Sequence, residues 1–138
     1  MEAGAKYTRS MDIRRDGDIV AARQMGRHLA EELGFSRSDQ ALIATAISEL
    51  TRNIISYADQ GKFEIAEISL GRKNGICIIV EDNGPGIADL ELALTDGYST
   101  GASLGLGLPG TKRIMDDFEI RSEIGEGVHI RAVKWIYS

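Results

Sequence analysis

Disulfide cross-links within the chain are excluded, because the sequence holds one cysteine, Cys77. It lies in the apolar run ICIIV and reads as a small buried hydrophobe rather than a nucleophile. Long hydrophobic runs are missing too: none approaches the roughly eighteen residues of a membrane span. The first residues, MEAGAKYTRSMDIRRD, have no apolar core of a signal peptide, so no membrane partner and a reducing cytoplasm are expected. Positive charge is in short supply. With 16 Lys and Arg against 21 Asp and Glu, the formal charge is -5, which argues against electrostatic binding of nucleic acid. Internal repeats, linkers and low-complexity tails are absent, and so is a Walker-type G-x-x-x-x-G-K-[ST] loop.

What is present is the composition of an ordinary globular protein, 43% hydrophobic and 27% charged over 138 residues. That length implies one domain, residues 1–138, large enough to bury a core without staples. Residues 6–14 read as a strand, broken at Asp16-Gly17-Asp18, where Asp16 or Asp18 can cap a helix. Ile19, Ala22, Gly26, Leu29 and Leu33 follow at helical spacing, and Gly34 ends the run. Gly26 on that face implies a closely packed backbone.

Ser36-Arg37-Ser38-Asp39 has the form of a capping box and opens a second helix reaching about Ala58. Its stripe Ile43, Ile47, Leu50, Ile54 and Tyr57 is expected to face the core, with Glu49 and Asn53 at the margin of the buried surface. Residues 63–70 suggest a strand with a phase slip near Ala66. A turn at Arg72-Lys73-Asn74-Gly75 leads into ICIIVED, a nearly all-apolar strand expected at the centre of its sheet. A helix over LPGTKRIMDD and a closing hairpin, FEIRSE and VHIRAVKWIYS, complete the chain. The order β-α-α-β-β-loop-α-β-β predicts a two-layer α/β (α+β) sandwich, with a mixed, largely antiparallel sheet and helices on one face.

Three features carry chemistry. Glu49 and Asn53 lie four apart on the second helix, so both side chains reach one place. Asp82, at the end of the apolar strand, is followed by Gly84 and Gly86, a tight turn that lets a flat ligand approach the backbone; its carboxylate suits an exocyclic amine such as that of adenine. The stretch from Asn83 to Gly110 is glycine-rich, and so long an irregular segment reads as a binding loop or lid. GLGLPG, Gly105 to Gly110, fits the letters of the dinucleotide fingerprint. A buried strand does not run into it and a parallel strand does not follow, so a Rossmann site is rejected. Its amides, feeding a helix N-terminus, still suit phosphate. His28 and His129 read as an exposed helix residue and a strand-face residue. Arg52, Lys112 and Arg113 are candidates for neutralising phosphate charge, and Ser99, Thr100 and Ser103 for donating hydrogen bonds to it.

In this order and spacing the three features resemble the GHKL ATPase and kinase superfamily, which shares the Bergerat ATP-binding fold. Glu49 to Asn53 matches the N box, Asp82, Gly84 and Gly86 the first glycine box, and Gly101, Gly105 and Gly107 the second. The resemblance implies ATP and Mg²⁺ as cofactors, Asn53 as the metal ligand and Glu49 as the catalytic base. It also implies nucleotide contacts from Asp82, Gly84, Gly86, Ile87, Thr100, Gly101, Ser103, Leu104, Gly105, Leu106, Gly107 and Leu108. One position departs: Gly127-Val128 stands where members commonly have Gly-Thr.

SELTRN, DNGPGI, DGYST and GLGLPGTKRIMD are similar to the bacterial serine kinases of the anti-sigma-factor type. That likeness implies a serine/threonine kinase acting on STAS-domain partners, a PP2C-type phosphatase as a further partner, and a sigma factor as a remoter one. The alternative it leaves is a nucleotide-switched protein that sequesters its partner.

Overall fold

The computed structural model describes residues 4–58, 60–85 and 107–136. Their order is β1 (Gly4–Ile13), α1 (Asp16–Leu33), α2 (Arg37–Ala58), β2 (Gly61–Leu70), β3 (Lys73–Asp82), α3 (Gly107–Ile114), β4 (Asp117–Glu123) and β5 (Gly127–Ile136). The strands form one five-stranded sheet in the order β1-β2-β3-β5-β4, with β3 at its centre as its apolar sequence predicts. All four pairings are antiparallel, so the expected mixed component does not occur among the described residues.

The helices form the second layer. Ile19, Ala22, Leu29 and Ala30 of α1 are buried, and Gly34 ends the helix in the left-handed region at φ 91°. At the start, Arg15 is the capping residue, and the Asp18 carboxylate accepts from the Arg14 and Arg15 amides at 2.9 and 3.2 Å. Gly26 does meet a close neighbour, but it is the Ile47 side chain of α2 rather than a backbone: a Cβ there would collide with Ile47 Cδ1. Ser36 Oγ accepts from the Asp39 amide at 3.1 Å, as a helix-opening serine should.

Ile43, Ile47, Leu50 and Ile54 of α2 are buried against Phe63, Ile65, Ile76, Ile78, Val80, Ile130 and Ala132 of the sheet. Tyr57, expected on that stripe, is instead 45% exposed. Ser48 and Thr51 are buried as well, their hydroxyls donating to the carbonyls of Ala44 and Ile47 at 3.0 and 2.7 Å.

Three local expectations change. The slip expected near Ala66 is absent from the β2–β3 pairing, which runs without a break from Gly61–Asp82 to Leu70–Lys73, but the β1–β2 register does shift close by, between Ala5–Ile68 and Tyr7–Glu67. The apolar phase alters because Ala66 and Ile68 belong to a second cluster, with Cys77, Val133 and Trp135, on the face away from the helices. The β2–β3 turn is Gly71-Arg72, and Lys73, Asn74 and Gly75 already pair within the sheet. Helix α3 stops at Ile114, earlier than its sequence suggests, because Asp116 is drawn to β5: its amide donates to the Val133 carbonyl at 2.8 Å and its carboxylate accepts from the Trp135 amide at 2.7 Å.

Candidate functional site

The site is assembled from the last two turns of α2, the end of β3, the start of β5 and the start of α3. Glu49 is 3% exposed, deeper than the margin expected of it, and Asn53 is half-buried one turn later. A carboxylate so buried requires a partner. Arg52 is one: its Nη1 lies 3.2 Å from Glu49 Oε1, with the guanidinium side chain 31% exposed.

Asp82 is held by backbone. Its Oδ1 accepts from the Gly84 amide at 2.9 Å and from the Val128 amide at 3.3 Å, 46 residues away. The Val128 bond bears on the departure at this position, because the main chain of β5 engages the carboxylate whatever side chain stands there. Among the described residues Oδ2 accepts no hydrogen bond, and it is the atom open to a ligand donor.

The Gly125–Val128 segment is clamped over the β3 end. Gly125 donates to the Pro85 carbonyl at 2.8 Å, and Gly127, at φ 84°, sits where a Cβ would strike the Asp82 carbonyl. Gly84 packs on the end of α2, with a Cβ there 2.6 Å from Ala58 Cβ. Gly61 similarly lies between Ile54 and Asp82. These two close approaches bring the β3 turn against the helix that carries Asn53.

Gly107 is the first residue of α3, Leu108 packs against the main core, and α3 itself packs on α2. Sequence reasoning had therefore placed Glu49, Asn53, Asp82, Gly84, Gly107 and Leu108 on elements that converge. The expectations at Gly86, Ile87, Ser99, Thr100, Gly101, Ser103, Leu104, Gly105 and Leu106, and the helical patch 88–94, lie outside the described residues. Lys112 and Arg113 are exposed on α3, and His28 pairs with Glu32 at 3.0 Å on the surface of α1. Burial pushes the Cys77 thiol up, opposed by the nearby Arg131, which fits a structural cysteine.

The sequence reading missed two features. One is the Glu49–Arg52 pair, whose i, i+3 spacing was visible. The other is the clamp by Gly125–Val128, for which the only local signal is the G-x-G turn.

A groove of about 620 Å³ opens at the same end of the sheet, lined by Asp12, Arg14, Lys62, Glu81, Arg121 and His129 among others. Asp82, Asn83, Gly127 and Val128 line it too, so it reaches the end of β3 that carries the site, although Glu49 and Asn53 do not line it. The groove thus marks the Asp82 side of the site, and the N-box residues of α2 lie outside its lining.

The fit to Mg²⁺ rests on donor chemistry. Asn53 offers one hard oxygen one helical turn from the Glu49 carboxylate, a donor type that suits Mg²⁺.

The profile of the histidine kinase-, DNA gyrase B- and HSP90-like ATPases matches residues 38–135. The serine/threonine-protein kinase RsbT of Bacillus subtilis (strain 168) is 53% identical over 124 residues, 90% of this chain and 93% of that protein. An anti-sigma F factor of Thermoanaerobacter sp. (strain X514) is 30% identical, over 96% of this chain and 98% of its own. Among solved structures, the mycobacterial sensor histidine kinase MprB superposes with a TM-score of 0.54 at 14% identity, over 94% of this chain and 97% of that one.

Proposed function

Since the chain belongs to the family of histidine kinase-, DNA gyrase B- and HSP90-like ATPases, we propose that it is an ATP-dependent serine/threonine protein kinase. Its substrates on this reading are small STAS-domain proteins of a cytoplasmic bacterial partner-switching pathway, and a PP2C-type phosphatase is a second partner that it activates by binding. The observation that carries the kinase reading is Glu49, a buried carboxylate one helical turn before Asn53 on α2.

Phosphoryl transfer needs positioning and charge neutralisation more than covalent help from the protein. Asn53 would hold Mg²⁺, which when bound draws charge from the β- and γ-phosphates. Asp82 Oδ2 accepts from the adenine amine, while its Oδ1 stays engaged with the Gly84 and Val128 amides. Glu49 takes the proton of the acceptor hydroxyl, a contribution of about 10²- to 10⁴-fold.

Incubation with γ-labelled ATP and candidate STAS proteins tests this. Label on a serine or threonine is expected, and release of free phosphate alone would sink the kinase assignment. The anti-sigma F relative supports a second reading, in which the chain chiefly sequesters a sigma factor and nucleotide sets its shape. Nucleotide-dependent co-purification with a sigma factor, without transfer to any STAS protein, would favour it.

A further inference from the structure

Glu49 sits in an unusual position for a base. Every apolar neighbour on its stretch of helix, Ala46, Ile47 and Leu50, is fully or almost fully buried, and Glu49 itself is 3% exposed. Against it lies Arg52, whose side chain is 31% exposed and whose Nη1 is 3.2 Å from Oε1.

Helical geometry places two residues directly above Glu49. At about 100° per residue, Arg52 at i+3 lies about 60° to one side and Asn53 at i+4 about 40° to the other. The carboxylate thus stands below a gap, with a cation on one flank and the proposed metal ligand on the other. The guanidinium, 3.2 Å from Oε1, is one of the contacts that fix where the carboxylate points.

We propose that Arg52 is the positioning residue of the transfer reaction, holding the Glu49 carboxylate in the orientation from which it meets the acceptor hydroxyl. This rests on the kinase reading above. In the step itself the acceptor oxygen bonds to the γ-phosphorus, and the bond to the β,γ-bridging oxygen breaks with its electron pair leaving on ADP. The acceptor proton passes to Glu49. Arg52 contributes by restricting the carboxylate. Its planar guanidinium keeps further donors after one is spent on Oε1, whereas a lysine ammonium would hold the same charge without the fork.

A double-mutant cycle decides the matter, read as single-turnover transfer to a STAS acceptor alongside ATP affinity measured separately. Arg52→Ala is expected to slow transfer by about 10²-fold, the cost of a misplaced catalytic group. ATP affinity should stay unchanged, and Arg52→Lys should recover part of the rate. On a Glu49→Gln background, Arg52→Ala should cost nothing more, since a residue acting through Glu49 has nothing left to position.

Three results would overturn the inference: losses that multiply in the double variant, an ATP affinity that falls in step with the rate, or a normal rate for Arg52→Ala while Glu49→Gln is inactive. The last of these leaves the kinase reading standing. A fully active Glu49→Gln removes both. If Arg52→Ala does not fold because it strands a buried charge, the Glu49→Gln/Arg52→Ala protein lacks that charge. Its rate against Glu49→Gln, with Arg52→Lys against the wild type, then supplies the comparison.

Discussion

Glu81 and Asp82 are consecutive carboxylates at the end of β3 that face opposite sides of the sheet. Asp82 points to the helix layer and is fixed by two backbone amides. Glu81 points to the open face, in a row that crosses all five strands: Asp12, Lys62, Glu81, His129 and Arg121, each opposite the next in register. The signs of its charged members alternate, as favourable cross-strand pairing requires. One face binds few polar groups tightly in an apolar setting, and the other spreads many over a wet surface. Chemistry concentrates where polar groups are scarce, because there each one is held.

Core packing should show the largest contrast between the faces. Ile65, fully buried under the helices, is expected to cost about 3–5 kcal/mol when replaced by alanine, and Ile68, in the smaller cluster on the open face, about 2 kcal/mol. Urea unfolding of the two variants measures both, and equal losses would show that the open face is as well packed as the covered one. Next comes the carboxylate pair itself. Asp82→Ala should weaken ATP binding by about 10²-fold through the loss of charged hydrogen bonds, while Glu81→Ala leaves it unchanged. Titration calorimetry with ATP separates them, and a comparable loss from Glu81→Ala would break the division of labour between the faces.

Smaller effects probe the clamp that joins the two sides. Gly127→Ala combines a positive φ with a collision against the Asp82 carbonyl, and should cost about 1–3 kcal/mol with a matching loss of ATP affinity. If stability falls and affinity does not, the turn is a fold element alone. At the bottom of the scale, Lys62→Gln in the charged row should stay within about 0.5 kcal/mol of the wild type in thermal unfolding, as exposed charges usually do.

Much of this was legible beforehand where the physics is local. Helical spacing located α1 and α2, and the run ICIIVED gave away a central strand because its residues are apolar on both faces, one packed under the helices and the other in the smaller cluster with Val133 and Trp135. The sequence was misleading where a residue's environment comes from elsewhere in the chain. Ala66 and Ile68 mimic a register slip because a second apolar cluster forms on the other face, and nothing in β2 announces its partners Val133 and Trp135. Tyr57 continues the stripe of α2 by spacing alone, yet it is 45% exposed.

By itself, then, the sequence determined the identity and spacing of the chemical groups: Glu49 and Asn53 one turn apart, Asp82 at a strand end before Gly84, and a glycine-rich run before α3. Those are properties of neighbours along the chain, set by helical and extended repeats. Only the tertiary structure decided that Glu49 would be buried and paired with Arg52, that Val128 would bring its amide across 46 residues to Asp82, and that Gly127 would close over the same carboxylate. Burial and long-range hydrogen bonds depend on which surfaces meet, and strand order and layer packing settle that after local structure has formed.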